Sequence, residues 1–130
     1  MGARRTRPLV LDAGAFIAFE RNDRRVRTLI ELAIAHRGEV FAPAAVVAQV
    51  WRNGSKQVRL ARLIGSGVIE VQQLDLQEAQ AVGALCGRRG GKDIVDASVA
   101  LLARRVGAIV VTSDPGDLKR IDPDLDLVEC

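Results

Sequence analysis

The chain has 130 residues, 48% of them hydrophobic, and this combination indicates one domain with a buried core rather than a disordered protein. Its 19 basic and 16 acidic side chains give a formal net charge of +3, which is compatible with a polyanionic partner. Two cysteines, Cys86 and Cys130, and one histidine, His36, exclude a disulfide framework and a zinc site built on nitrogen and sulfur ligands. So few cysteines favour a reducing cytoplasm.

The apolar run at residues 8–19 follows three arginines and superficially resembles a signal peptide. Asp12 interrupts this run, and Glu20 and Arg21 close it. No stretch approaches the roughly 18 apolar residues that a membrane span requires. The sequence therefore predicts a soluble, unprocessed protein with no membrane partner.

Short apolar runs alternate with segments of helical periodicity in the first half of the chain. Strands are predicted at residues 8–11 and 40–42, because a strand covered on both faces is wholly apolar. Gly38 is the expected stop of the second helix. The four helices predicted in this half begin after Asp12, after Asp23, at Pro43 and at Lys56.

The second half continues the alternation, with strands predicted at residues 68–71, 109–113 and 125–129. Asp75 and Glu78 resemble a capping box that starts a helix reaching Cys86. Residues 87–91 are predicted as a flexible basic loop, and Pro115 starts a short helix through Lys119. The whole pattern predicts a single α/β domain at residues 1–130, with three α/β/α layers and a mainly parallel sheet of about five strands.

The helix predicted between Asp93 and the turn at Gly107 carries an acid on its apolar side. At about 100° per residue, Asp96 falls in the middle of the apolar stripe, whereas Ser98 and Arg105 point the other way. A carboxylate in that position is costly unless something compensates its charge. The stripe itself consists of Val95, Val99, Ala100, Leu102, Ala103 and Val106.

Three carboxylates are expected at one edge of the sheet. Asp12 and Asp114 each follow a buried strand, and Asp96 lies at the start of the helix that leads into the second of these strands. Sites in open parallel sheets form beyond the carboxyl ends of the strands, so these acids should converge, with Asp93 as a supporting candidate. An oxygen-only cluster suits Mg²⁺ or Mn²⁺, and such an ion supports phosphodiester hydrolysis.

The same acids also have a structural interpretation. Asp12, Asp93 and Asp114 are each placed as the N-cap of a helix. Asp96 and Asp117 are each placed to complete a capping box. Capping explains Asp96 least well because that side chain lies on the apolar stripe, so the set as a whole favours a metal site.

Three segments in this order resemble a PIN domain: VLDAGAFIA at residues 10–18, DASVA at residues 96–100 and VVTSD at residues 110–114. Length and spacing make the chain most similar to the VapC-type toxins of bacterial toxin–antitoxin pairs. The resemblance implies a Mg²⁺- or Mn²⁺-dependent endoribonuclease, usually dimeric and held inactive by a cognate antitoxin. The matching catalytic positions are Asp12, Asp96 and Asp114, each as a metal ligand.

One position departs from the family pattern. The family usually carries a glutamate in the helix after the second strand, and Gln49 stands at the matching place. An amide oxygen can still face a metal, but the lost negative charge is predicted to weaken metal affinity. Asp93 and Glu20 are the candidates for compensation, although a solvated or structural role is favoured for Glu20.

Basic side chains are candidates for contact with an RNA backbone. They fall into two groups: Arg52, Lys56, Arg59 and Arg62 in the first, and Arg88, Arg89 and Lys92 in the second. Ordinary solvated helix faces are the alternative. Nearby cations are needed, however, because an acidic cluster repels phosphates. Thr112 and Ser113 are expected to position a water or phosphate, or to act as capping hydroxyls, and Trp51 to lie in the core or an interface.

The favoured hypothesis is a toxin that hydrolyses RNA phosphodiester bonds. The first alternative is a catalytically weakened PIN-like module that binds RNA or an antitoxin, which Gln49 keeps open. A phospho-receiver domain is less favoured, because Asp12 stands alone and no suitable lysine follows the fifth strand. A haloacid-dehalogenase-type phosphatase would need a second aspartate where Gly14 stands.

Overall fold

The computed structural model describes residues 6–90 and 93–130, and strands alternate with helices throughout these ranges. The strands are β1 (Leu9–Leu11), β2 (Val40–Pro43), β3 (Ile69–Gln72), β4 (Ile109–Thr112) and β5 (Asp126–Glu129). The helices are α1 (Ala13–Glu20), α2 (Arg24–Ala35), α3 (Ala44–Val50), α4 (Val58–Gly65), α5 (Leu76–Arg89), α6 (Ile94–Val106) and α7 (Pro115–Ile121).

The five strands form one parallel sheet in the order β3-β2-β1-β4-β5. The central strand β1 pairs with β2 on one side and with β4 on the other, where Leu11 lies beside Val111. This arrangement confirms the predicted α/β fold with its parallel sheet. A phospho-receiver domain has the order 2-1-3-4-5, so that alternative is wrong.

Two groups of helices cover the sheet. Helix α1 packs on α2, α3 and α4, whereas α6 packs on α5 and α7 and also contacts β1 and β2. Every residue of β1 is buried, as its apolar run predicts for a strand covered on both faces. The fully buried side chains of Val10, Phe16 and Val110 tie β1, α1 and β4 into one core.

Residues 87–89 are not the flexible loop that the sequence predicts. Helix α5 continues through them, and Gly90 ends it with φ 69°, a left-handed conformation that glycine adopts without strain. Arg88 and Arg89 therefore lie in the last helical turn, where positive charge interacts favourably with the helix dipole. Composition alone suggested a loop, and the capping glycine lies later in the run than expected.

Three other local predictions are corrected by the structure. Ser98 is buried rather than outward-facing, because α5 covers that side of α6, and its hydroxyl donates to the Ile94 carbonyl at 2.9 Å. The residue with positive φ after α2 is Arg37 rather than Gly38. The capping box forms only by half: Asp75 accepts from the Glu78 N–H, but the buried Glu78 carboxylate pairs with Arg105.

Trp51 is 39% exposed, so it does not lie in the core, and its place in an interface stays a prediction. In the ranges that the structure describes, every helix is too short or too polar to cross a bilayer.

Candidate active site

Asp12 and Asp114 meet where the strand order reverses. They follow the neighbouring strands β1 and β4, and the Asp12 N–H donates to the Val111 carbonyl at 3.2 Å. In sheets of this kind, ligands bind in the crevice beyond the carboxyl ends of the two strands at the reversal. The topology thus brings together two acids that are far apart in the sequence.

Asp12 is held by several hydrogen bonds. Its Oδ1 accepts from the Ala15 N–H at 3.1 Å, so the predicted N-cap role is real. The Thr112 hydroxyl lies within hydrogen-bonding reach of Asp12 and also accepts from the Asp114 N–H at 2.9 Å. Burial raises the pKa of Asp12, and the hydrogen bonds from Thr112, Ala15 and Gly14 oppose that rise. The Asp12 carboxylate is therefore held in place, and the Thr112 hydroxyl connects it to the backbone of Asp114.

Asp96 lies at the centre of the acidic groups. It stands in the first turn of α6, and its N–H donates to the N-cap Asp93 at 3.0 Å. Burial raises the pKa of Asp96 to about 6, and the charges of Asp93, Asp117, Asp12 and Asp114 add to the rise. Burial and the neighbouring negative charges thus both oppose the ionised form of this carboxyl.

Asp117 joins the cluster, although the sequence suggested only a capping role for it. Its carboxyl lies against that of Asp114, and a hydrogen bond to Asp114 followed by charge repulsion raises the pKa of Asp117. The Asp114 side chain accepts no backbone N–H of α7, so its expected capping role is not realised. The signal for Asp117 was its place three residues after Asp114, in the first turn of the same helix.

Gly14 allows the two halves of the site to approach each other closely. A Cβ built on Gly14 would lie 2.0 Å from Ser113 Oγ and 2.6 Å from Ser113 Cβ. The first turn of α1 therefore packs directly on the exposed Ser113, beside Asp114. An aspartate at position 14, which a haloacid-dehalogenase-type phosphatase requires, would not fit.

Gln49 and Glu20 differ in their contacts with the rest of the protein. Gln49 is exposed on α3. Glu20 Oε2 accepts from the Leu60 N–H at 2.9 Å, which satisfies a free N–H in the first turn of α4. Glu20 therefore has the structural role that was favoured for it.

The predicted basic residues occupy several places. Arg52 donates to the carbonyls of Ala48 and Trp51 at the end of α3, which is a capping role. Arg59 reaches the Glu20 carbonyl at 3.5 Å, and Arg62 is exposed on the same helix. Lys92 lies outside the described residues. The remaining predicted pair, Arg88 and Arg89, lies at the end of α5.

The donor set fits a hard divalent cation. All candidate ligands are carboxylates, which Mg²⁺ and Mn²⁺ prefer, and a cation among them would relieve the repulsion that raises the pKa of Asp96. Among residues 6–90 and 93–130, no three His, Cys, Asp or Glu side chains are close enough to hold one ion. Binding would therefore need side-chain movements, for which the exposed Asp93 and Asp114 have room.

Comparison with known proteins agrees with this architecture. The sequence model of the PIN domain matches residues 9–123. The fold is similar to the VapBC2 complex of Rickettsia felis bound to a promoter DNA fragment (TM-score 0.70, 18% identity, covering 95% of this chain and 98% of that one). It is also similar to DNA-bound VapBC from Salmonella typhimurium (TM-score 0.67, 17% identity, covering 95% of this chain and 98% of that one). A third similar structure is FitAcB from Neisseria gonorrhoeae (TM-score 0.58, 19% identity, covering 92% of this chain and 95% of that one). Among curated proteins, sequence comparison finds no match.

Proposed function

This chain belongs to the PIN domain family, and we propose that it is a metal-dependent endoribonuclease that acts in the cytoplasm as the toxin of a toxin–antitoxin pair. The observation that carries the proposal is the position of Asp96, a half-buried carboxyl at the reversal point of the sheet whose ionisation is opposed by the charges of four other carboxylates. Carboxylates are gathered in this way where a cation is to be bound. The similarity to toxin–antitoxin complexes supports the biological role.

Asp12, Asp96 and Asp114 would hold Mg²⁺ or Mn²⁺, with Asp93 and Asp117 as supporting carboxylates. A bound ion of this type supplies an acidified water and neutralises charge on a phosphate oxygen. The metal ion is the cofactor, and RNA is the substrate whose phosphodiester bond is hydrolysed.

The acidic side chains of the proposed site differ in how firmly they are held. Asp12 is fixed by Ala15 and Thr112, so its carboxylate needs little reorganisation to serve as a ligand. Asp114 and Asp117 are in contact, and the repulsion between them, which contributes to the raised pKa of Asp117, is relieved when positive charge arrives. The Thr112 hydroxyl accepts from the Asp114 N–H and so holds the Asp114 backbone close to Asp12.

The first test is thermal unfolding with and without metal. Because a ligand that binds only the folded state stabilises it, millimolar Mn²⁺ or Mg²⁺ should raise the melting temperature by several degrees. A labelled single-stranded RNA should be cleaved in the same buffer and left intact with a chelator. Stabilisation without cleavage would favour the RNA- or antitoxin-binding alternative, and no stabilisation would contradict the carboxylate site.

The second test concerns Gln49. The Gln49→Glu variant is expected to bind Mn²⁺ several-fold more tightly, because a further carboxylate adds negative charge to the ligand set. Titration followed by the melting temperature measures the change. Gln77→Glu, in the first turn of α5, is the matched control and should leave Mn²⁺ affinity unchanged. Equal affinities for Gln49→Glu and the wild-type protein would place position 49 outside the metal site.

The proposed antitoxin needs an apolar surface to cover. Ile17 on α1, Trp51 after α3 and Val58 on α4 are all at least 39% exposed. Ile17 also lines a cavity of about 130 Å³, together with Val50 and Gln57, the neighbours of Trp51 and Val58. Exposed apolar groups gathered in this way mark interaction sites, so we assign this surface to the antitoxin. The homodimer that the family resemblance implies is the second proposed assembly.

A further inference from the structure

A second cavity, of about 180 Å³, lies between α5, α6 and α7. Leu85 and Leu101 contribute apolar surface to its lining. Its charged lining consists of Arg88, Arg89, Arg104 and Asp122. Three guanidinium groups around one pocket are unusual, because like charges repel unless anions offset them.

The one acid in this lining is already neutralised. Asp122 is buried, and it accepts from Arg104 Nε at 2.7 Å and from Arg104 Nη2 at 3.0 Å. The hydrogen bond from Arg104 lowers the pKa of Asp122, and the charge of Arg89 lowers it further. Arg104 is therefore committed to Asp122 and oriented by it, as expected of a bidentate pair.

Arg88 and Arg89 keep their donors for another partner. Both are exposed, and no hydrogen bond or ion pair within residues 6–90 and 93–130 engages either guanidinium. The negative end of the α5 helix dipole explains why cations are favourable in the last turn of that helix. It does not explain why they line a pocket between three helices. The lining thus has an excess of positive charge and unused, fork-shaped donors that match an oxyanion.

The pocket shares two helices with the acidic cluster. Helix α6 carries Asp96 in its first turn and Arg104 eight residues later, a rise of about 12 Å. Helix α7 begins beside Asp114 and ends at Ile121, which also lines the pocket. A stacked nucleic acid strand, with about 3.4 Å per nucleotide, covers that distance in three or four nucleotides.

We propose that the pocket between α5, α6 and α7 binds a phosphate of the RNA strand, three or four nucleotides from the bond that is cleaved. Arg88 and Arg89 contact this phosphate directly, and Arg104 is a positioning residue that holds the pocket together through Asp122. The inference rests on the proposed ribonuclease function and adds a substrate subsite to it. The subsite draws the strand toward the acidic cluster, which by itself repels phosphates.

The test measures RNA binding by fluorescence anisotropy in an Asp96→Asn background, where cleavage is expected to be strongly reduced. Arg88→Ala and Arg89→Ala should each raise the dissociation constant about 5- to 10-fold and reduce the salt slope by about 0.7, the value for one lost phosphate contact on a single strand. Arg37→Ala is the matched control, since Arg37 precedes β2 and so lies at the amino ends of the strands, whereas the acidic cluster lies at their carboxyl ends. It should change the dissociation constant less than about 2-fold, and the salt slope not at all.

Each contrary result has a distinct meaning. If Arg88→Ala and Arg89→Ala behave like Arg37→Ala while the wild-type protein cleaves RNA, the subsite is wrong and the proposed function stands. If the wild-type protein neither binds nor cleaves RNA, both proposals fall. Calorimetric titration with inorganic phosphate adds a third arm: Arg89-dependent phosphate binding with unchanged RNA affinity would identify a small-anion site and overturn the RNA subsite.

Discussion

The Asp96→Asn variant is expected to lose RNA cleavage by about 100-fold or more and to lose its stabilisation by Mn²⁺. Asp96 is the carboxyl on which the charges of Asp12, Asp93, Asp114 and Asp117 converge. Outer-sphere partners of a metal site already account for 10- to 100-fold effects, so a direct ligand should account for at least as much. Cleavage of a labelled RNA and the melting temperature at millimolar Mn²⁺ are the two measurements.

The same variant should be more stable than the wild-type protein in the absence of metal. The pKa of Asp96 is about 6 in the folded protein and near 3.8 in the unfolded chain, so between these values the folded state binds more protons. The free energy of unfolding therefore falls as the pH rises from 4 to 6. At pH 8 the asparagine should stabilise by about 1 kcal/mol, after allowance for solvent screening, and at pH 4 by almost nothing.

Asp75→Asn is the control for both measurements. Asp75 caps α5 by accepting from the Glu78 N–H, and asparagine caps helices about equally well. This variant removes the same charge without touching the acidic cluster, so cleavage and the Mn²⁺ effect should persist. Full cleavage by Asp96→Asn, or an equal loss in Asp75→Asn, would show that Asp96 is not a ligand.

The Gly14→Ala variant is expected to lose about 1–3 kcal/mol of stability and about 100-fold in cleavage. The new methyl group would lie 2.0 Å from Ser113 Oγ and 2.6 Å from Ser113 Cβ, so rotation of the hydroxyl alone cannot relieve the overlap. The backbone at Ser113 must move, and Asp114 moves with it. A displacement of about 1 Å at reacting groups costs about 100-fold in rate.

Ser113→Gly supplies the rescue that separates this mechanism from a general effect of alanine. It removes both overlapping atoms, so Gly14→Ala combined with Ser113→Gly should recover most of the stability and activity. Gly83→Ala in α5 is the control, because its Cβ would meet nothing within 4 Å. That change should stabilise the protein by about 0.5–1 kcal/mol. Additive losses in the double variant would contradict the proposed contact.

The sheet and the positions of its acids were predictable because the deciding signals are local. A strand buried on both faces must be wholly apolar, as at Leu9–Leu11, and an acid directly after such a strand lies at the sheet edge where sites form. Asp12 and Asp114 follow this rule. Asp96 was found because a charge interrupts the apolar stripe of its helix.

The contacts that depend on a second element could not be predicted in this way. The apolar stripe of α6 predicts one buried side and places Ser98 on the solvent side, but α5 covers that side as well. The sequence position of Asp117 fits a capping box. Its place in the acidic cluster follows only from the contact between its carboxyl and that of Asp114. Arg88 and Arg89 lie in a basic, glycine-rich run whose composition predicts a loop. Helix α5 instead continues through both residues, because the glycine that ends it is Gly90.

The central position of β1 also affects when the acidic cluster comes into being. Strand β1 can pair with β2 as soon as the first third of the chain is available, whereas β4 is made about a hundred residues after β1. Such long-range strand pairs form late in folding, and chains are synthesised from the amino terminus. We infer that Asp12 and Asp114 meet only after β4 has been synthesised and paired with β1, so the acidic cluster is incomplete in a shorter nascent chain.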